Sequence, residues 1–176
     1  MSIYCLFCET GKEITVEDTL GRHGHEVIES HKERLVWKKD GKQNKIKGKE
    51  YKPLIPGYIF FKSEDEADAL FWQGITAIPG VYYPLKYGDD THALRGNDLK
   101  FAIWLETQHG VVKPLKAFKR KDGVVISEGP LKEMCGTVID INPKRECAKI
   151  QLHGEGLQLA IWLQYEMLEL ETNNSY

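Results

Sequence analysis

The chain has 176 residues, with 24 Lys and Arg against 26 Asp and Glu and a formal net charge of −2 at pH 7. That length accommodates one large core or two small ones, and the near-neutral balance excludes overall charge as the basis for attracting an acidic partner, leaving the role to local runs. No stretch approaches the ~20 apolar residues that span a bilayer, and the opening MSIYCLFCETGKE lacks a basic region followed by a long apolar one, so a soluble cytoplasmic protein without a membrane partner is expected.

Tyr4 to Cys8 is short and apolar and reads as a strand. Thr10-Gly11-Lys12-Glu13 then has the Thr-x-x-Glu spacing of a capping box, predicting a helix that runs to about His23 and closes at Gly24. Val27-Ile28 and Leu35-Val36-Trp37 bracket polar residues, and Tyr58 to Phe61 follows a Pro56-Gly57 turn. Two strands joined by a long projecting hairpin are predicted, and the arm between them carries Lys38, Lys39, Lys42, Lys45, Lys47, Lys49 and Lys52 with too few apolar residues to pack. Ser63-x-x-Glu66 repeats the capping spacing ahead of a second helix ended by Gly74, and GVYYPL supplies a fourth strand. Asn97 is expected to cap a third helix, carrying Leu99, Ala102, Ile103 and Leu105 and stopped by Gly110.

This order matches a split βαβ plan, an antiparallel sheet with helices on one face, filling residues 1–110. Residues 111–121 hold Pro114 and the basic residues Lys113, Lys116, Lys119, Arg120 and Lys121 without a clear period, which suggests a linker. In residues 122–176, short aliphatic runs are broken by Gly129-Pro130, Gly136, Asn142-Pro143 and Gly154 to Gly156, the spacing of a small β-barrel. Leu157, Leu159, Ile161 and Leu163 alternate as in a strand, although the same segment is rich in helix formers, and both conformations are open; the turns favour the barrel. The fold class expected is therefore α+β, an N-terminal split-βαβ sheet with helices followed by an SH3-like barrel.

Over almost its whole length this sequence resembles the NusG family of bacterial transcription elongation factors. Tyr4 in the opening strand, TGKE at the first helix and PGYIFF from Pro56 to Phe61 are similar to the family's N-terminal (NGN) domain, and VVISEGPLKEMCGTVIDI from Val124 to Ile141 is similar to its KOW domain. Two positions depart from the pattern. Glu133 stands where the KOW motif commonly has a further glycine, and His153 stands where general members usually carry a phenylalanine in the loop that contacts ribosomal protein S10 or Rho. With GPLKEMCG and the basic stretch before it, the chain most resembles the LoaP group of specialised, operon-specific antiterminators.

The resemblance implies a monomer whose N-terminal domain binds bacterial RNA polymerase through an apolar patch, for which Tyr4, Phe7, Tyr58 and Phe60 are the candidates; core packing is the competing role for each. Strand alternation puts Tyr58 and Phe60 on one face and Ile59 and Phe61 on the other. The lysine arm would contact upstream or non-template DNA through phosphates, or be a solvated loop. Lys119, Arg120, Lys121, Lys132, Lys144, Arg145 and Lys149 are candidates for binding an RNA leader hairpin through the KOW domain, against the alternative of a barrel that docks on protein.

A competing enzyme or metal-site reading would use Cys5-x-x-Cys8 with His23, His25 and His31. Leu6 and Phe7 leave no knuckle glycine between the thiols, and alternation points them to opposite faces. With Cys135 and Cys147 the cysteine count is even, yet reduced thiols are expected in this compartment. No catalytic constellation, cofactor or metal is expected.

Overall fold

The computed structural model describes residues 1–39, 45–64, 67–121 and 123–168. The N-terminal sheet is antiparallel in the order β2-β5-β1-β6, formed by β1 (Ser2–Cys8), β2 (Glu26–Ile28), β5 (Tyr58–Ser63) and β6 (Val81–Pro84). Between β2 and β5 runs an antiparallel hairpin of β3 (His31–Lys39) and β4 (Lys45–Pro53).

Because β1 is central, its alternate residues feed two cores. Tyr4, Leu6 and Cys8 point with Ile59 and Phe61 towards α1 (Glu13–Arg22) and α2 (Ala69–Thr76), where Val16, Leu20 and Ile75 close over them. Cys5 and Phe60 point the other way, against Phe101, Ala102 and Leu105 of α3 (Gly96–Thr107), with the Phe60 and Phe101 rings 5.9 Å apart. The expectation of helices on one face is thus corrected: two cover one side and α3 the other, since both faces of this sheet are apolar.

Three helix starts differ from the spacing rules. The capping box does not form at Thr10; Lys12 occupies the N-cap of α1. The Glu13 carboxylate accepts the Gly11 N–H at 2.6 Å and, across the fold, the Gly57 N–H at 2.9 Å. Asp68 caps α2, its Oδ1 accepting the Phe71 N–H at 2.8 Å, while Ser63 ends β5, Gly74 sits inside the helix and Glu66 lies outside the described residues. Arg95, not Asn97, is the N-cap of α3. Gly24 and Gly110 do take left-handed φ values of 86° and 72° after their helices.

The basic stretch expected as a linker is structured. Val111–Val112 (β7) pairs in parallel with the base of β3, and Leu115–Arg120 (β8) enters the second sheet. That sheet runs β10-β11-β12-β8-β9, with β9 (Gly123–Ile126), β10 (Gly136–Asn142), β11 (Cys147–Leu152) and β12 (Ala160–Met167). It curls into a nearly closed small barrel. A short helix, α4 (Glu128–Glu133), replaces the expected Gly129-Pro130 turn and connects β9 to β10. The segment with mixed helix and strand character is a strand, Ile161, Leu163 and Tyr165 facing the barrel core.

The barrel is packed onto the N-terminal unit. A single apolar cluster runs from Phe60 and Phe101 through Leu115 to Ile150 and Leu163. At its centre Asp98, 0% exposed, accepts hydrogen bonds from Tyr87 Oη at 2.9 Å, from the Gly156 N–H at 2.8 Å and from the Leu157 N–H at 3.0 Å. A buried carboxylate is costly unless its lone pairs are filled, and donors from both units fill these.

Candidate functional site

The four aromatic candidates fall into different environments. Phe60 is 0% exposed in the core under α3, and Tyr4 is 4% exposed on the opposite side of the sheet, against Phe61, Phe71 and Trp72. Phe7 and Tyr58 are half-buried, their rings 5.1 Å apart, and Tyr82 and Tyr83 of edge strand β6 complete the patch at 5.5 and 5.2 Å from Phe7. Both tyrosines are 56% exposed. The sequence signal for this patch is the adjacent tyrosines in GVYYPL; on an edge strand beside a bulge at Phe7/Cys8, both rings reach the same neighbour. The Tyr58 phenol is pushed up by burial and by the neighbouring Cys5 and Tyr83.

Gly57 supports this patch from below. Its φ of +82° suits glycine, and a methyl group there would meet the Cys8 carbonyl at 3.0 Å and the Phe7 ring at 3.3 Å. The Glu13 carboxylate holds the same turn, so the start of α1 and the PGY segment set the height of Phe7 together.

The basic arm is a regular ladder from His31 opposite Pro53 to Lys39 opposite Lys45, with Lys42 outside the described residues. Backbone pairing substitutes for the missing apolar core. Alternation places Lys45, Lys47 and Lys49 on one face with Trp37 and Glu33, and Lys38 on the other with Arg34 and Lys52. Trp37 is 67% exposed with the Lys47 ammonium 5.9 Å from its ring, a cation beside a stacking surface that the strand pattern had not marked. The Lys49 Nζ donates to Glu33 Oε2 at 3.0 Å, which raises its pKa.

In the barrel the basic candidates divide. Lys119, Arg120 and Lys121 are exposed at the β8–β9 tip, and the Lys144-Arg145 turn lies at the same end, since β8 runs parallel to β12 and Tyr165 donates to the Glu146 carbonyl. Lys149 flanks Trp162, 5.9 Å from its ring. Lys132 stands apart on α4, ion-paired to Glu128 at 3.0 Å. The loop after β11 turns inward: the His153 carbonyl accepts the Asn97 side-chain amide at 2.8 Å, His153 Nε2 lies 2.8 Å from Thr137 Oγ1, and Glu155 is forked by Arg95.

Cys5 and Cys8 lie in separate cores on opposite faces of β1. Burial pushes the Cys5 thiol well up and the Cys8 thiol to about 11, which disfavours thiolate chemistry. Among the described residues, no group of three or more His, Cys, Asp or Glu side chains is placed to hold a metal ion, and no helix is long and apolar enough to cross a membrane.

Residues 1–100 match the family model described as "Transcription termination factor nusG". The chain is 24% identical over 123 residues to the transcription termination/antitermination protein NusG of Thermus thermophilus, covering 66% of this chain and 67% of the relative. A solved structure of Thermotoga maritima NusG, described as showing domain interaction, superposes with a TM-score of 0.50 at 17% identity, covering 93% of both chains.

Proposed function

The chain belongs to the NusG family of transcription termination and antitermination factors, a family of regulators rather than enzymes, and from that premise we propose that it is a specialised antiterminator that rides on RNA polymerase and reads RNA through its barrel. Phe7, Tyr58, Tyr82 and Tyr83 are the polymerase contact, because half-buried Phe7 and Tyr58 and exposed Tyr82 and Tyr83 form one aromatic cluster on the sheet and aromatic anchors dominate interface energies. Lysines of the β3–β4 hairpin track DNA phosphates, and the basic end of the barrel engages a leader hairpin.

The observation that carries the specialised reading is the state of the loop from His153 to Gly156. The loop carries His153 where the family resemblance leads one to expect a phenylalanine, and Asn97, Asp98 and Arg95 hold it through its carbonyl, its amides and Glu155. The missing aromatic at position 153 is what weighs against protein coupling, and the basic end of the barrel is what supports RNA as its partner.

The decisive assay is single-round transcription with bacterial RNA polymerase on a template carrying the leader of the adjacent gene cluster and an intrinsic terminator. Readthrough requiring both protein and leader RNA is expected. Readthrough independent of the leader, with polymerase binding intact, would assign a general pausing or coupling role instead.

A further inference from the structure

Between the arm and the barrel lies a cleft of about 640 Å³, lined on one wall by Lys32, Arg34 and Lys52 of the hairpin and on the other by Arg145 and Trp162. The cleft exists because Gln164 ties β12 to the hairpin edge: its Oε1 accepts the Leu35 N–H at 2.7 Å and its Nε2 donates to the Leu35 carbonyl at 3.3 Å. Lys32 Nζ adds a bond to the Trp162 carbonyl at 3.1 Å. The two walls are therefore held by hydrogen bonds between residues far apart in sequence.

The charges of the cleft are poorly compensated. Glu50 faces both Arg34, at 3.9 Å, and Lys52, at 3.5 Å, and among the described residues the Arg145 guanidinium makes no ion pair. Lys32 feels the crowding: partial burial, then Arg34, push its pKa down, with Lys52 adding to the effect. Trp162 is 39% exposed at the edge of these cations.

We propose that this cleft binds one nucleotide of a single-stranded nucleic acid, the base stacked on Trp162 and the flanking phosphates held by Lys32, Arg34, Lys52 and Arg145. An anionic backbone supplies the missing counter-charges, and every base offers a π-face to the indole. An acidic peptide would satisfy the cations but would leave the tryptophan without a role. The inference deepens the RNA-binding reading of the barrel, yet needs no hairpin.

The test titrates the full-length protein against fluorescein-labelled single-stranded oligouridylate, the matching deoxy oligomer and a blunt RNA duplex, read by anisotropy over a series of salt concentrations. Both single strands should bind, and the difference between them tells whether the natural ligand is RNA or exposed DNA. The variant Trp162→Leu should weaken single-strand binding roughly 5- to 150-fold, while Trp162→Phe keeps most of it, because stacking is lost in one and retained in the other. Arg145→Gln should lower the log-log salt slope by about 0.7, one phosphate contact on a single strand. Unchanged affinity in folded Trp162→Leu together with an unchanged slope in Arg145→Gln would overturn the proposal, as would equal affinity for the duplex. Competition by polyglutamate that exceeds competition by single strands would assign the cleft to an acidic protein segment and also overturn it. Loss of hairpin-dependent readthrough with single-strand binding intact would remove the leader-reading function and leave the cleft standing.

Discussion

The fully buried Asp98 carboxylate at the start of α3 accepts the Gly156 backbone N–H at 2.8 Å, joining the N-terminal unit to the barrel. Replacing Asp98 with Ala removes the acceptor for Gly156, Leu157 and Tyr87 at once and leaves buried donors unsatisfied. The expected loss is at least about 1.5–3 kcal/mol, the worth of one hydrogen bond to a charged group, measured by urea denaturation. A loss below about 0.5 kcal/mol would mean that water replaces the carboxylate and that the contact contributes little to docking.

Gly154 tests the same contact from the barrel side. A methyl group there would overlap the Asp98 carboxylate, although the backbone is outside the left-handed region and tolerates alanine. Gly154→Ala should therefore release the barrel while both units stay folded, seen as a larger radius of gyration in small-angle X-ray scattering with retained circular dichroism. An unchanged radius would show that the loop absorbs the methyl group.

Separating interface from core among the aromatics requires paired variants. Tyr83→Ala, at an exposed position, should change stability by less than about 0.5 kcal/mol yet weaken RNA polymerase binding at least about tenfold if this tyrosine is an anchor. Phe60→Ala should instead cost about 3–5 kcal/mol of stability because it empties a packed site. Polymerase affinity and melting temperature, taken on both variants, distinguish the two roles.

Gly57→Ala combines strain with a clash, since φ is +82° and the Cys8 carbonyl lies 3.0 Å from the new methyl position. The left-handed backbone alone costs roughly 1–2 kcal/mol, so a larger loss is expected in denaturant unfolding. Polymerase binding should fall with it because the Phe7 ring is 3.3 Å from the same position.

Glu17 gives the fold a pH dependence. Burial, then Glu29, Glu13 and Asp18, raise its pKa from 4.5 to about 7. The folded state thus holds the proton more tightly than the unfolded chain, and stability should fall as pH rises from about 4.5 to about 7. Glu17→Gln should flatten that part of the profile, measured as melting temperature from pH 5 to pH 8; an unaltered slope would assign it to other groups.

Several local features were legible because they depend on near neighbours. PGYIFF read correctly as a turn into a buried strand, and Gly24 and Gly110 as helix stops, since each rests on backbone conformations available to glycine. Thr10 and Asn97 do not cap their helices for a related reason: their spacing is right, but Glu13 finds the Gly57 amide and Asn97 the His153 carbonyl, partners that no local pattern contains. The stretch from 111 to 121 looked aperiodic because β8 is short, with Leu115 and Ala117 turned inward and lysines between and after them. The placement of Tyr82 and Tyr83 beside Phe7 was hidden by the bulge that shifts the register of β6.

The sequence by itself determined the alternation of strands and helices, the barrel of short turn-punctuated strands and membership of the NusG family, because apolar periodicity, glycine conformations and matched motifs are properties of contiguous residues. Only the tertiary structure decided that Phe60 is fully buried under α3 while Phe7, on the same face of the sheet, is only half-buried, that Asp98 is filled by the barrel's amides, and that Lys32 and Arg34 meet Trp162 across a cleft. Period-two alternation separates two faces of a strand but does not say how much of a face a helix will cover. That extent, like the pairing of Leu35 with Gln164 at 129 residues' separation, is settled by where distant apolar surfaces and unsatisfied amides find each other when the chain collapses.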